Sequence, residues 1–234
     1  MFSEFFPLIL LWIIGIIEIY FEKSFTLYRI FGGFTMPKRI AILGGPRCGK
    51  TTLIQQLYVD MKIRDLNVGV ATEYSTDYLR DKGMIENISE QYGIYLGQLH
   101  LEESLNEFDY AITDYATFVP YIYGRFMLGD KKRTTKEIEI LKDLYVLALR
   151  DLPKYDHIFF VPREFGYTKD GVRWQDEEVA QAVDKAILSF LEAENVRYTT
   201  ITGSTKERSE KILEMLNLSN EIEVKDINLD MATK

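Results

Sequence analysis

Ile40-Ala41-Ile42-Leu43-Gly44-Gly45-Pro46-Arg47-Cys48-Gly49-Lys50-Thr51-Thr52 is the stretch from which the rest of the chain is read. The apolar run Ile40 to Leu43 has the character of a buried strand, and the G-x-x-x-x-G-K-T spacing after it makes a loop whose amides curl around phosphate oxygens. Glycines at 44, 45 and 49 let successive N–H groups point inward, and the helix that follows turns its positive end toward the same spot. Lys50 reaches the outer phosphates, and the Thr51 hydroxyl is placed to ligate Mg²⁺. The expected nucleotide contacts are therefore Gly44, Gly45, Pro46, Arg47, Cys48, Gly49, Lys50, Thr51 and Thr52, with ATP or a close relative as the ligand.

Beyond the loop, Ile54, Leu57, Tyr58 and Met61 recur at i, i+3, i+4 and i+7, so a helix presents this stripe to a sheet. Residues 68–72 read as a second strand. Asn87 with Glu90 reads as a capping box opening a helix to about Asn106, with Tyr92, Tyr95, Leu96 and Leu99 on its buried face. A third strand, 110–113, ends on Asp114, and a fourth, 157–161, is stopped by Pro162, which cannot donate to a ladder. Val179, Val183, Ala186, Ile187 and Phe190 mark a further helix, ahead of a fifth strand at 198–201 and a last helix from 205 to about 216. The polar segment GDKKRTTK (129–136) reads as a loop with a solvated basic cluster. This alternation defines an α/β protein, and with the glycine loop a P-loop NTPase fold with a parallel five-stranded sheet flanked by helices; the arginine-flanked loop after the fourth strand makes the expectation a kinase type with a lid.

The chain of 234 residues, 47% apolar, suffices for one substantial core, assigned to residues 36–216, with 217–234 as a tail. A net charge of -8 disfavours non-specific binding to polyanions. One cysteine, Cys48, excludes an intramolecular disulfide; with only His100 and His157 beside it, structural zinc is rejected and a reducing, cytoplasmic setting is expected. Residues 1–35 are hydrophobic, and three readings stand for them: a tilted membrane anchor through residues 5–21 with Lys23, Arg29, Lys38 and Arg39 on the cytoplasmic side, a peripheral hydrophobic helix, or an extension ahead of a true start at Met36.

The remaining candidates sit where strands end. Asp114 lies beside the P-loop strand, where a carboxylate reaches the Mg²⁺ water shell. Tyr115 and Ala116 follow it where many hydrolytic P-loop ATPases carry a water-activating glutamate, which favours transfer to a bound acceptor, and no Asn-Lys-x-Asp guanine-reading segment is present. Glu73, past the second strand, is a candidate to contact Mg²⁺ or deprotonate an acceptor hydroxyl, with Asp77 a weaker one. Gln91 and Gln98 share a helix face, as a polar acceptor contact or as a solvated face. Arg163 and Arg173 bracket a loop containing Gly166 and Gly171, placed either to close guanidinium forks over phosphate or to make surface salt bridges; Trp174 and Gln175 follow, packing beside a ligand or in the core. Gly203 and Ser204 are either backbone neighbours of the base or a turn.

Together GGPRCGKTT (44–52), ATEYSTDYL from Ala71, NISEQYGIYLGQLHLEE from Asn87, AITD ending at Asp114 and REFGYTKDGVRWQDEE from Arg163 resemble the small P-loop kinases related to ribosylnicotinamide kinase. That group is common in bacteriophages and includes enzymes that phosphorylate nucleosides, nucleotides and hydroxymethyluracil within DNA. The resemblance implies an ATP- and Mg²⁺-dependent kinase with Lys50 and Thr51 as phosphate and metal ligands, Asp114 as the metal-side acid, Glu73 as the acceptor-side acid, and Arg163 with Arg173 as lid arginines. The acceptor it implies is nucleoside-like, free or in DNA. Relatives often carry an Arg-acid pair after the glutamate; Thr76-Asp77 stands there instead, which puts the acceptor in question. The competing class is a P-loop ATPase acting as a switch or assembly factor, tethered to a membrane through residues 1–35.

Overall fold

The computed structural model describes residues 36–129, 132–164 and 177–218, and all of these but Met36 lie within the unit Pro37–Lys234. Among them, β1 (Lys38–Leu43), β2 (Val68–Ala71), β3 (Tyr110–Asp114), β4 (His157–Phe160) and β5 (Thr199–Thr200) form one sheet in the order β2-β3-β1-β4-β5, every pair parallel. Parallel strands need crossovers, and helices supply them: α1 (Lys50–Ile63), α2 (Tyr74–Lys82), α3 (Glu90–Glu103), α4 (Val119–Leu128), α5 (Thr135–Asp151), α6 (Glu177–Ala193) and α7 (Thr205–Met215).

The apolar run of β1 is continuous because both of its faces are covered. Ile40 and Ile42 point to a core shared with Leu53, Ile54 and Leu57 of α1 and Ile212 and Leu213 of α7. Ala41 and Leu43 point the other way, into a core built with Val119, Ile122, Leu144, Val183 and Phe190 from α4, α5 and α6. Residues in β4 alternate in the same manner, Phe159 joining the first core and Ile158 and Phe160 the second. Such two-period alternation fixes the register, since a one-residue slip would exchange the two cores.

Three stretches depart from the sequence expectations. In α1 the buried stripe is Leu53, Ile54, Leu57 and Met61, while Tyr58 lies at the exposed edge with Lys62 over its ring. In α3 the buried face is largely polar: Gln91, Ile94, Tyr95, Gln98 and Glu102 point inward, Leu96 is 60% exposed, and Tyr92 and Leu99 are half-buried. Only the Glu90 half of the expected capping box closes on the backbone, its carboxylate accepting the Asn87 N–H at 2.8 Å and the Glu86 N–H at 3.0 Å, and the helix opens at Glu90 itself. The polar segment 129–136 ends sooner than expected, because Thr134 and Glu137 form a reciprocal capping box that starts α5 at Thr135.

Several expectations lie outside the described residues: the hydrophobic segment 1–35, Arg173 with Gly166, Gly171, Trp174 and Gln175, and the tail beyond Leu218. Among the described residues no helix is long and apolar enough to cross a membrane.

Candidate active site

The strand order brings the phosphate loop and Asp114 together. β3 pairs directly with β1, setting Asp114 opposite Ile42, two residues before the loop begins. As a result the Thr51 hydroxyl donates to Asp114 Oδ2 at 2.7 Å, and the carboxylate is 3% exposed. An alcohol and a carboxylate that meet in this way at the phosphate end of a helix form the donor set a magnesium ion takes: hard oxygens with room for water and phosphate ligands.

The loop itself is held by polar contacts from elements far apart in sequence. Gly49 caps α1 with φ 90°, a conformation that L residues rarely adopt, which lets the chain pass from the loop into the helix. Lys50, 7% exposed, folds back so that Nζ donates to the Gly45 carbonyl at 3.0 Å. Asp184 of α6 accepts the Gly45 N–H through Oδ1 and pairs through Oδ2 with Arg163 Nη2 at 3.2 Å. A Cβ on Gly45 would meet Asp184 Oδ1 at 2.6 Å and the Ala180 carbonyl at 2.7 Å, so the loop and α6 approach as closely as glycine allows. From behind, the buried Arg208 of α7 donates to the Cys48 carbonyl at 3.3 Å and to Glu164 Oε2 at 2.8 Å. Glu164 in turn accepts the Gly203 N–H at 2.8 Å, and these hydrogen bonds hold its carboxyl below the usual glutamate range, the Arg208 contact contributing most.

Behind Asp114 lies a buried network. Gln98 accepts the Tyr74 N–H at 3.0 Å and donates to Thr113 Oγ1 at 3.1 Å; Thr113 donates to Glu102, and Tyr155 donates to both Glu102 oxygens at 2.9 and 3.0 Å. Burial raises the Glu102 carboxyl to about 7, against the opposing pull of Tyr155 and Arg39.

On the other side of the loop a cavity of about 360 Å³ opens, lined by Pro46 of the P-loop, Glu73, Gln91, Tyr115, Tyr123, Phe126, Met127 and Val183 among others. Glu73 and Lys50 also line one small adjoining pocket with Gly44 and Tyr115. Glu73 is the residue before α2, and its Oε1 accepts the Ser75 hydroxyl at 2.7 Å, which fixes the carboxylate at the cavity. Tyr115 holds φ 81°, a backbone strain on the order of 1–2 kcal/mol, and its buried side chain forms part of the cavity wall.

The structure thus gathers the loop residues, Thr51, Asp114, Glu73 and Arg163 at one edge of the sheet. It sets Asp77 apart, on the solvent side of α2 in an exposed pair with Arg80 at 3.1 Å. Ser204 serves as the N-cap of α7, accepting the Glu207 N–H in a capping box. Asp184, Arg208 and Glu164 were not singled out from sequence. A signal existed for the first two: Asp184 is four residues after Ala180 and three before Ile187, and Arg208 four before Ile212, so each falls on a buried stripe where a charge needs a partner.

A parallel sheet whose first strand runs through this loop into a capped helix, with the acid of the neighbouring strand on the loop threonine, defines a P-loop nucleotide-binding protein. By sequence the chain belongs to the AAA domain family, whose model matches residues 39–208. No curated protein matches the chain. Among solved structures it is similar in fold to a NadR protein in complex with NR, with a TM-score of 0.62 at 17% identity over 80% of this chain. The similarity spans 52% of that protein, so the chain accounts for about half of its length.

Proposed function

We propose that the protein is an ATP-dependent phosphotransferase whose acceptor is a nucleoside-like hydroxyl or phosphate bound in the cavity beside the P-loop. The observation that carries this reading is the shared lining of Glu73 and Lys50: the carboxylate of the acceptor cavity and the phosphate-binding lysine border the same small space. The likeness of the fold to the NadR protein is in keeping with it.

In this reading the loop amides and Lys50 hold the β- and γ-phosphates of ATP. Thr51 and Asp114 are the residues that would hold Mg²⁺, which when bound neutralises charge on the phosphate oxygens. Glu73 orients the acceptor hydroxyl and takes its proton as the oxygen attacks the γ-phosphorus; the bond from γ-phosphorus to the β–γ bridging oxygen breaks, and ADP leaves. Arg163 supplies charge at the same edge, since its Nε and Nη1 are buried without a hydrogen-bond partner while Nη2 is held by Asp184. The resemblance assigns Arg173, which lies outside the described residues, to the same role. The residue after Asp114 is a buried tyrosine, which offers no carboxylate to activate water and so favours transfer over hydrolysis.

Incubation with labelled ATP and Mg²⁺ against nucleosides, mononucleotides and DNA containing hydroxymethylpyrimidines, the 5-hydroxymethyluracil of phage DNA included, tests the reading. Transfer of label to one of these classes is expected. Steady acceptor-independent hydrolysis with no transfer would instead identify a switch or assembly ATPase.

A further inference from the structure

One residue that lines the proposed acceptor cavity carries a polar atom that the protein itself leaves unmet. Gln91 is fully buried, lies in the first turn of α3 and lines the cavity. Its Nε2 donates to the Met127 sulfur at 3.4 Å, a weak acceptor, and its Oε1 has no hydrogen-bond partner. Leaving a buried carboxamide oxygen in that state is unfavourable, because its lost hydration is not replaced. Exchanging the two amide atoms does not remove the deficit, because a thioether donates nothing. Gln98, on the same face of α3, is buried to the same degree, yet both of its polar ends are engaged, the oxygen by the Tyr74 N–H and the nitrogen by Thr113 Oγ1 and the Asp114 carbonyl. The fold satisfies one of these two amides and leaves the oxygen of the other, in a residue that lines the cavity, unmet.

We infer that Gln91 selects the acceptor by a pair of hydrogen bonds to the edge of a planar, neutral ring that carries an N–H beside a carbonyl or ring-nitrogen acceptor, the lactam or imide edge of a nucleobase. A carboxamide presents one donor and one acceptor side by side, and its complement is an edge with the same two groups in the opposite order. The walls suit a flat ring: Tyr115, Tyr123 and Phe126 offer aromatic surface. A volume of about 360 Å³ lies within the range of small-ligand pockets, so the ring enters unpaired, whether from a free nucleoside or from an extruded nucleotide. Glu73 faces the same cavity and is left for the hydroxyl that reacts, so ring and sugar are read by different residues. This selection rests on the proposed transferase reading for its location, and on the unmet amide for its chemistry.

The test uses the full chain and two matched pairs, uridine with 3-methyluridine and inosine with 1-methylinosine, measured for binding by calorimetry and for phosphoryl transfer from ATP. The wild type is expected to favour the unblocked member of a pair by roughly 5- to 100-fold in Kd or KM. Gln91→Leu brings that ratio close to one while its melting temperature stays level or rises, since an unmet polar group has been removed; a purely structural glutamine would lower it. Gln91→Glu, which accepts twice and donates nothing, raises the relative preference for guanosine, whose ring edge offers two adjacent N–H donors. Transfer or binding that ignores ring methylation overturns the role of Gln91 and leaves the transferase reading standing. Discrimination in binding without transfer overturns the transferase reading and keeps the selection. Absence of binding to every nucleoside overturns both.

Discussion

The two sides of the P-loop are built on different principles. On the phosphate side, Lys50, Asp184, Arg208 and Asp114 reach the loop or its helix from α1, α6, α7 and β3, each through a directional polar contact. On the side proposed for the acceptor the wall is mostly aromatic and aliphatic, with Glu73, Ser75 and Gln91 among its polar residues and the Ser75 hydroxyl donating to Glu73. Phosphate is the same anion in every nucleotide, so its cradle can be rigid and charged. An acceptor is recognised by shape and a few hydrogen bonds, and a cavity of that kind changes ligand by changing side chains without touching the loop. Helix α3 serves both sides: Gln91 near its start lines the cavity, while Gln98 and Glu102 farther along brace the strand that ends on Asp114.

This contrast is most easily broken at Lys50. Lys50→Ala is expected to lower kcat by about 10²–10³-fold or more, since a preorganised charge on the transferring phosphoryl is lost. Acceptor binding, measured without ATP, should be unchanged; a parallel loss there would mean that the two sides are not separable. Glu73→Gln makes the complementary cut. It should lower kcat by about 10²-fold, the lower end for loss of a general base, while ATP affinity stays as in the wild type. Equal turnover in both proteins would remove Glu73 from the chemistry.

Arg208→Met asks whether the phosphate side depends on its bracing from behind. The substitution keeps much of the packing but strips hydrogen bonds from the Cys48 carbonyl and from Glu164. Because Glu164 is partly exposed and can turn to water, the expected loss is about 2–3 kcal/mol, below that of a fully buried broken pair. Chemical denaturation reads the stability, and weaker ATP binding should accompany it. A stable variant with unaltered ATP affinity would show that the loop holds its own shape.

The phosphate side was legible in the sequence because its geometry is local: glycines, lysine and threonine at fixed spacing, then an acid at the end of an apolar strand. The brace and the cavity were less so, for two physical reasons. Arg208 and Asp184 reach the loop across 160 and 139 residues of chain, and only the placement of a charge on an apolar stripe hints at them. In α3, hydrophobic spacing pointed to Leu96 and Leu99 as core, whereas tertiary demand for hydrogen bonds behind Asp114 turned Gln98 and Glu102 inward instead. Sequence treats Gln91 and Gln98 alike, and only the structure separates a satisfied amide from an unmet one. Helices α2, α4 and α5 were not expected from the sequence pattern.

A pH-dependent effect is expected from the buried network behind Asp114. Glu102 is 2% exposed, and burial raises its carboxyl to about 7 from an ordinary value of 4.5. The folded chain therefore binds a proton there more tightly than the unfolded chain does. Between about pH 4.5 and 7 the folded state carries the extra proton, so this group's contribution to stability is greatest below the unfolded value and falls as pH rises through the window. Each pKa unit corresponds to about 1.4 kcal/mol, which sets the cost of the charged form at neutral pH on the order of 2–3 kcal/mol. Glutamine mimics the protonated acid, so Glu102→Gln should match the wild type near pH 5 and exceed it near pH 8 in denaturation midpoint. Parallel pH curves for the two proteins would show that Glu102 is charged throughout, in which case Arg39 and Tyr155 offset its burial in full. A flattened curve would show that the strand carrying Asp114 is held by a neutral hydrogen-bond network, setting that brace apart from the charged contacts that Arg208 and Asp184 make at the loop.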